Sequence, residues 1–398
     1  MRSLRVLRVL CVSLCLLNVA SVANAAKGFV DCAKRSLADA VSDVKEKDLT
    51  IQFTGVCQGP VVITADGLSL TGVGTAVIDG GGGDAVTVAG ATRVALANFA
   101  VRNGLNGIVG INGAHLTLNG VSSEDNAVFG ITLQTTSSAV LTNVTANHNR
   151  VHGFDVETGS SATVTGSLTA SDNGVFGINV NGSAITFAQA TVVANGNALG
   201  IQIATGASGF INDSATTVTA TNNFSVGLTI VSGAHLVSFG GTINASGNPI
   251  AGVSVNSKAG LDLDAASTLN STNNGAGLLL QDASVMTVFN TPMFSGAPGF
   301  STVNASHNTQ DGVRVLSGST LTLSNQAKVV SSENGGTGLV ADGALATTLV
   351  NSTLNANAVT DLRLTFGTRA DLRTLTLGTY SCDATVLVRG TSGVTCPH

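Results

Sequence analysis

Asn126-Ala-Val-Phe-Gly130-Ile-Thr-Leu133 returns as Asn149-Arg-Val-His-Gly153-Phe-Asp-Val156, and again as Asn173-Gly-Val-Phe-Gly177-Ile-Asn-Val180. The frame places a glycine at 107, 130, 153, 177, 200, 227, 252, 277, 312 and 338, and Asp361 takes that place in the last copy. The steps run from 23 to 27 residues, except for 35 residues between Gly277 and Gly312. Four residues before each glycine stands an asparagine, from Asn103 to Asn357; the exception is Gly196, which has asparagine on both sides. The residue after the glycine is always Ile, Leu, Val or Phe. A fixed period of this length is the signature of a stacked repeat.

Alternation after the glycine predicts a short strand with one face buried. Glycine and asparagine ahead of it supply turn positions, some of them with positive φ. A second strand-like stretch follows in each copy, as in 115–121, 140–144 and 162–168. A unit this small cannot bury its apolar face alone. Stacking the units with strands parallel and about 4.8 Å apart gives a continuous core. The recurring asparagines then line up as an internal amide ladder, with purely local turn bonding as the alternative.

The Asn-x-x-x-Gly-apolar-x-apolar repeat resembles the right-handed parallel β-helix proteins of pectin-lyase-like architecture, over roughly residues 50–396. The resemblance implies an all-β, right-handed parallel β-helix solenoid with a short N-terminal capping helix. Residues 34–47 read as that helix, with Leu37, Ala40, Val41 and Val44 on one face. Strands 50–54, 61–63, 68–70 and 76–79 open the solenoid. The expected organisation is a leader over 1–25, an N-terminal cap over 26–60, coils over 61–380 and a C-terminal cap over 381–398. The Leu-x-x-Leu-x-Leu frame of the leucine-rich solenoids is absent.

Composition agrees with β structure. The 398 residues include 48 glycines but only 5 prolines, one tyrosine and no tryptophan, and 10% are charged. Low charge with 43% apolar residues argues against disorder, and few Lys and Arg argue against nucleic acid as a partner. Arg2, Arg5 and Arg8, an apolar stretch and Ala23-Asn24-Ala25 predict a cleaved secretory leader. No other stretch is long and apolar enough to predict a membrane-spanning helix. Cleavage leaves a chain more acidic than the whole-sequence net charge of −5 and an expected location that is secreted or periplasmic. Cys11 and Cys15 leave with the leader. Cys32, Cys57, Cys382 and Cys396 allow three pairings. Export and their grouping at the two ends favour Cys32–Cys57 and Cys382–Cys396. The spacings do not match a zinc finger or ribbon.

One coil is chemically rich. His148, Arg150, His152, Asp155 and Glu157 fall between Asn147 and Val156 or just beyond. Alternation turns Phe154 and Val156 inward and Asp155 and Glu157 outward. Thr132 and Gln134 then lie on the coil before, and Asn179 and Asn181 on the coil after. Those five residues are candidate acid–base groups, and Gln134, Asn179 and Asn181 are candidate glycan contacts. The alternative is structural. Arg102, Asp125, His148 and Asp172 share one frame position, five before the glycine, and would stack as an alternating charge ladder; His152 would sit between Phe129 and Phe176. A cation held by Asp125, His148 and Asp172 is a further alternative. The 35-residue step carries an aromatic insertion near 289–303, in which Phe294 and Phe300 are candidate contacts.

The catalytic families sharing the resembled architecture carry local motifs such as Asp-Pro-His-Asp, Gly-His-Gly or Trp-x-Asp-His, and none occurs here. The reading is a protein that binds polysaccharide or cell-surface glycan, or another surface, along its flank and needs no cofactor. A carbohydrate-active lyase, epimerase or hydrolase, and a purely structural or adhesive solenoid, are the rivals.

Overall fold

The computed structural model describes residues 28–44, 47–291, 299–324 and 326–397. The leader read over 1–25 lies outside them. The chain winds as a parallel coil. One strand per turn, beginning with Val61–Ile63, Val86–Ala89 and Ile108–Ile111 and ending with Tyr380–Cys382, forms a 14-stranded sheet in sequence order. The eleven copies of the frame account for eleven of these strands. Val61–Ile63 and Val86–Ala89 precede them and Tyr380–Cys382 follows. Two further segments per turn share a 26-stranded sheet. Where they are continuous, as in Ser161–Thr169, the register shifts between Val164 and Gly166, and Gly166 takes φ +87° to make the bend. Inward side chains from all three faces of the coil meet in one core running from Val30 to Cys396.

The asparagine ladder fills one corner of that core. Asn126, Asn149, Asn173, Asn197, Asn223, Asn248, Asn274, Asn308 and Asn334 are all buried. Each amide oxygen accepts from the backbone N–H of the rung before, and for most rungs from its amide as well. Asn173 Oδ1 takes Asn149 N at 2.9 Å and Nδ2 at 3.1 Å. The amide nitrogen also donates to a backbone carbonyl, as Asn173 Nδ2 does to Ala146 at 3.1 Å. Three frame positions need correction. The rungs are Asn197 and Asn274, not Gly196 and Asn273, so the ladder is unbroken there. Asn103 is not a rung; its place is taken by the backbone N–H of Gly104, which donates to Asn126 Oδ1.

The repeat glycine exists because of this ladder. It does not adopt positive φ. A Cβ placed on Gly130 would lie 2.6 Å from Asn149 Nδ2 and 2.6 Å from the Gly153 carbonyl; on Gly153 it would meet Asn173 Nδ2 at 2.6 Å. The left-handed position is instead the residue just before each rung, with Asp125, His148, Asp172, Asn222, Asn273, His307 and Glu333 all near φ +55° to +60°. These exposed corners carry Asp, Asn, His and, once, Glu, and at two places glycine.

The ladder ends on a charge. Asp361 stands where earlier copies have glycine, because no further asparagine needs the space. Its Oδ1 accepts from Asn357 N and Nδ2 at 3.0 and 2.8 Å, and its Oδ2 accepts from Thr379 N at 2.7 Å. Burial opposes ionisation, but the donations from Thr379 and Asn357 outweigh it and hold the carboxyl below the ordinary range.

At the N-terminal end the helix is shorter than the sequence suggests. It spans Leu37–Ser42, with Ser36 as its N-cap accepting from Asp39 N, and it buries Leu37, Ala40 and Val41. Val44 is only partly buried against the core, and residues 45–46 lie outside the described residues. Cys32 is joined to Cys57 and Cys382 to Cys396, with Cα separations of 5.0 and 5.5 Å.

Breaking a rung is therefore expected to cost far more than trimming an outer amide. Asn173→Ala orphans donors of Asn149 and should cost about 1–3 kcal/mol, and Gly153→Ala should cost a similar amount by overpacking. Asn181→Ala on the outer face should stay within about 0.5 kcal/mol. Urea unfolding of the three variants checks the order.

Candidate functional site

The position two residues after the repeat glycine points outward from the 14-stranded sheet. In consecutive coils it carries Val109, Thr132, Asp155, Asn179, Gln202, Thr229 and Ser254, and strand register aligns Thr132 with Asp155, Asp155 with Asn179 and Asn179 with Gln202. Outward-facing does not mean exposed here. Asp155 is 0% exposed, Thr132 1% and Asn179 4%. This overturns the expectation that Asp155 sits on open surface.

Asp155 is the sink of a side-chain hydrogen-bond chain spanning four coils. Gln134 Nε2 donates to Thr132 Oγ1 at 3.2 Å, and Thr132 Oγ1 donates to Asp155 Oδ2 at 3.1 Å. From the other side, Gln202 Nε2 donates to Asn179 Oδ1 at 3.3 Å, and Asn179 Nδ2 donates to Asp155 Oδ1 at 2.8 Å. Burial is the largest influence on the carboxyl and pushes its pKa up to about 7. The donations from Asn179 and Thr132 pull it down, and the neighbouring Glu157 carboxylate adds to the rise. Glu157 and Asn181 pair in register at the half-buried margin of the same face, with Gln134 in line on the preceding coil.

The other candidates separate from this chain. His152 lies between Phe129 and Phe176, with ring centroids 5.1 and 4.9 Å away. Burial drives its pKa down to about 4, so it is neutral at physiological pH, and its Nδ1 accepts weakly from Phe176 N at 3.4 Å. His148 occupies an exposed left-handed corner and faces Asp172 of the next coil at 3.9 Å. Arg150 is exposed, and its guanidinium has no partner among the described residues. Arg102 leaves the expected corner ladder: it aligns with Asp79 and Glu124 and pairs with Asp79 at 3.6 Å, while Asn103 takes the corner. Among the described residues no three His, Cys, Asp or Glu side chains converge, so the cation alternative at Asp125, His148 and Asp172 lacks a site. Phe294 lies outside the described residues. Phe300 is 45% exposed, with Lys328 Nζ 5.7 Å from its ring centre, well apart in sequence and coil from Asp155.

Gln202 was not among the sequence candidates. Its signal was present, since it occupies the same frame position after Gly200 that Asp155 occupies after Gly153.

The coil geometry and the sequence agree on the family of folds. Residues 61–248 match the family model described as "Right handed beta helix region". The chain is a right-handed parallel β-helix. No curated protein matches it in sequence. Solved structures that it resembles include the A-module of mannuronan C-5 epimerase AlgE6 from Azotobacter vinelandii, at 14% identity, covering 91% of this chain and 93% of that one with a TM-score of 0.40. A mutant of the periplasmic alginate epimerase AlgG is also 14% identical, covers 92% and 84%, and has a TM-score of 0.40. Pectate lyase Pel9A is 12% identical, covers 91% and 79%, and has a TM-score of 0.30.

The Asp155 carboxyl makes a pH prediction. Folded, it keeps its proton up to about pH 7; unfolded, only to about 4. At this site the native state binds more protons than the unfolded one between those values, so the carboxyl's contribution to stability falls as pH rises through the window, while buried His152 works in the opposite direction. Asp155→Asn keeps the shape and donates to Thr132 instead. The melting temperature of the variant relative to the parent should climb as pH rises from about 4 to 7, because the variant lacks the Asp155 decline and keeps the opposite slope of buried His152, and it should be no lower than the parent at pH 7. Thermal melts across that range test this.

Proposed function

We propose that this β-helix is a secreted or periplasmic binding protein that holds a polysaccharide along the outer face of its 14-stranded sheet, across the coils that carry Gln134, Glu157, Asn181 and Gln202. The observation that carries the reading is the hydrogen-bond chain converging on Asp155. It locks three amides, a hydroxyl and a carboxyl from four successive coils into one rigid row, which is what repeated recognition of sugar hydroxyls requires. Three residues earlier on the same strands lies the half-buried Phe129–His152–Phe176 stack. An apolar strip next to a polar row matches the two characters of a sugar ring. Asn179 and Asp155 act here as positioning residues, and the half-buried Gln134, Glu157 and Asn181 supply the contacts. The two disulfides suit an oxidising compartment.

An enzymatic reading has one observation in its favour, the Asp155 pKa of about 7, which lies in the working range of a general acid or base. Against it, both carboxyl oxygens are engaged and the side chain has no exposed surface. His152, the nearest imidazole in the sequence, is neutral and held between two rings. Binding is therefore the better-supported role.

Polysaccharides, neutral and acidic, should be screened for retention of the full chain in affinity electrophoresis. The Gln134→Ala/Glu157→Ala/Asn181→Ala variant should lose at least about tenfold in affinity while melting close to the parent. Retained affinity in that variant, or no polysaccharide bound by the parent, overturns the proposal. Appearance of shortened or modified product in the same incubations would favour the enzyme.

A further inference from the structure

The basic residues are unevenly spread. Between Arg102 and Lys258 only Arg150 occurs, whereas Arg363, Arg369, Arg373 and Arg389 crowd the last coils. Three of them share the outer face of the 26-stranded sheet, on the strands Arg369–Arg373 and Leu387–Gly390. There they border a cavity of about 380 Å³ lined by Thr348, Arg369, Asp371, Leu387 and Arg389, with Ala346 behind.

The charge pairing in this cavity is lopsided. Arg373 clasps Asp371 with both arms of its fork: Nε donates to Oδ1 at 2.9 Å and Nη2 to Oδ2 at 2.6 Å. Asp371 therefore has its charge met by a residue outside the cavity lining. Arg369 and Arg389 are exposed and have no carboxylate partner among the described residues. The only other acid in this stretch, Asp383, accepts from Phe366 N, Thr385 N and Thr385 Oγ1. Arg369 and Arg389 thus border one pocket without a carboxylate partner of their own, since the Asp371 carboxylate in that lining is clasped by Arg373.

Their placement lets them meet on one ligand. Asp371 aligns with Arg389, and Arg369 with Leu387, so the two arginines sit one coil apart and two residues offset along the strand. At about 4.8 Å per coil and 3.3 Å per residue their Cα atoms are about 8 Å apart, within reach of two long side chains closing on a single group. The small Ala346 next to Arg369 in register leaves room, and Thr348, in register with Asp371, offers a hydroxyl. Paired guanidinium forks favour oxyanions that can accept several parallel hydrogen bonds. The three arginines and one aspartate carry a net charge of two positive units, which a dianion balances.

We propose that this cleft is an oxyanion site that takes a phosphate or sulfate group, held between Arg369 and Arg389 with Thr348 as an added donor. It stands on the opposite sheet from the Asp155 face and does not depend on the polysaccharide reading. Arg373 acts as a positioning residue that keeps Asp371 from capturing Arg389.

The test is titration of the full chain with inorganic phosphate, sulfate and acetate at fixed ionic strength, following the arginine Nε–Hε resonances by NMR. Phosphate or sulfate should shift the Arg369 and Arg389 signals saturably, and the stronger of the two names the preferred group. Arg369→Gln/Arg389→Gln should weaken binding at least about tenfold without changing the melting temperature measured in the absence of the anion. Acetate binding as tightly as both dianions, shifts that never saturate, or equal binding by the variant would overturn the proposal. If that double variant fails to fold, Arg389→Lys serves instead; it keeps the charge, loses the fork, and should still weaken binding.

Discussion

One buried amide, repeated once per turn, sets the terms for the rest of the molecule. Each rung of the asparagine ladder accepts a backbone N–H from the coil before it, most accept an amide as well, and the amide nitrogen donates onward. A parallel coil has a corner where the backbone must turn, and the N–H groups there cannot all find ladder partners in a sheet. A side chain that both donates and accepts solves this at every turn, provided all turns have the same rise. The ladder therefore enforces the stacking that it needs. It also explains the glycine of the frame, since the amide occupies the volume a Cβ would take. At the last rung the same logic inverts. Asp361 replaces glycine and supplies, as an anion, the acceptor that another asparagine would have provided.

The outward row on the strands that follow this corner obeys the same geometry with a different result. Thr132, Asp155, Asn179 and Gln202 are neighbours because coils repeat in register, so their side chains bond from coil to coil. Here the row contains a carboxyl that can only accept when ionised. Burial raises its pKa while Thr132 and Asn179 donate to it and Gln134 and Gln202 donate to them in turn. The consequence is a stiff polar surface whose exposed members lie at its margins. A row so ordered would lose little side-chain freedom on binding the proposed polysaccharide.

Charge is treated differently at the two levels. Along the corners, acids and histidines one coil apart come together, His307 with Glu333 at 3.0 Å and His148 with Asp172 at 3.9 Å. On the flat face, His235 reaches Asp262 at 3.0 Å across the bare backbone of Gly260, and that hydrogen bond holds the imidazole above its usual range. Such pairs stitch adjacent turns together. The C-terminal arginines break the pattern. There the one nearby carboxylate is already clasped, and the surplus positive charge faces a cleft.

The repeat alone determined the architecture, because period, alternation and a fixed Asn-to-Gly spacing are local signals that a solenoid converts directly into shape. The grouping of cysteines at the ends and the sandwiching of His152 by Phe129 and Phe176 were legible for the same reason: residues at one frame position become neighbours. What the frame could not specify was depth. Alternation assigns a face, and it placed Asp155 outward, but exposure depends on how much the flanking side chains of three coils cover it. Single-residue drift in the count was equally hidden, so the rungs at Asn197 and Asn274 and the corner at Asn103 emerged only from the backbone path. The pairing of Arg373 with Asp371, and the two arginines it leaves unmatched, likewise lay beyond the sequence. Which of several nearby charges meet is decided by side-chain reach across coils, a property of the folded surface that no one-dimensional spacing encodes.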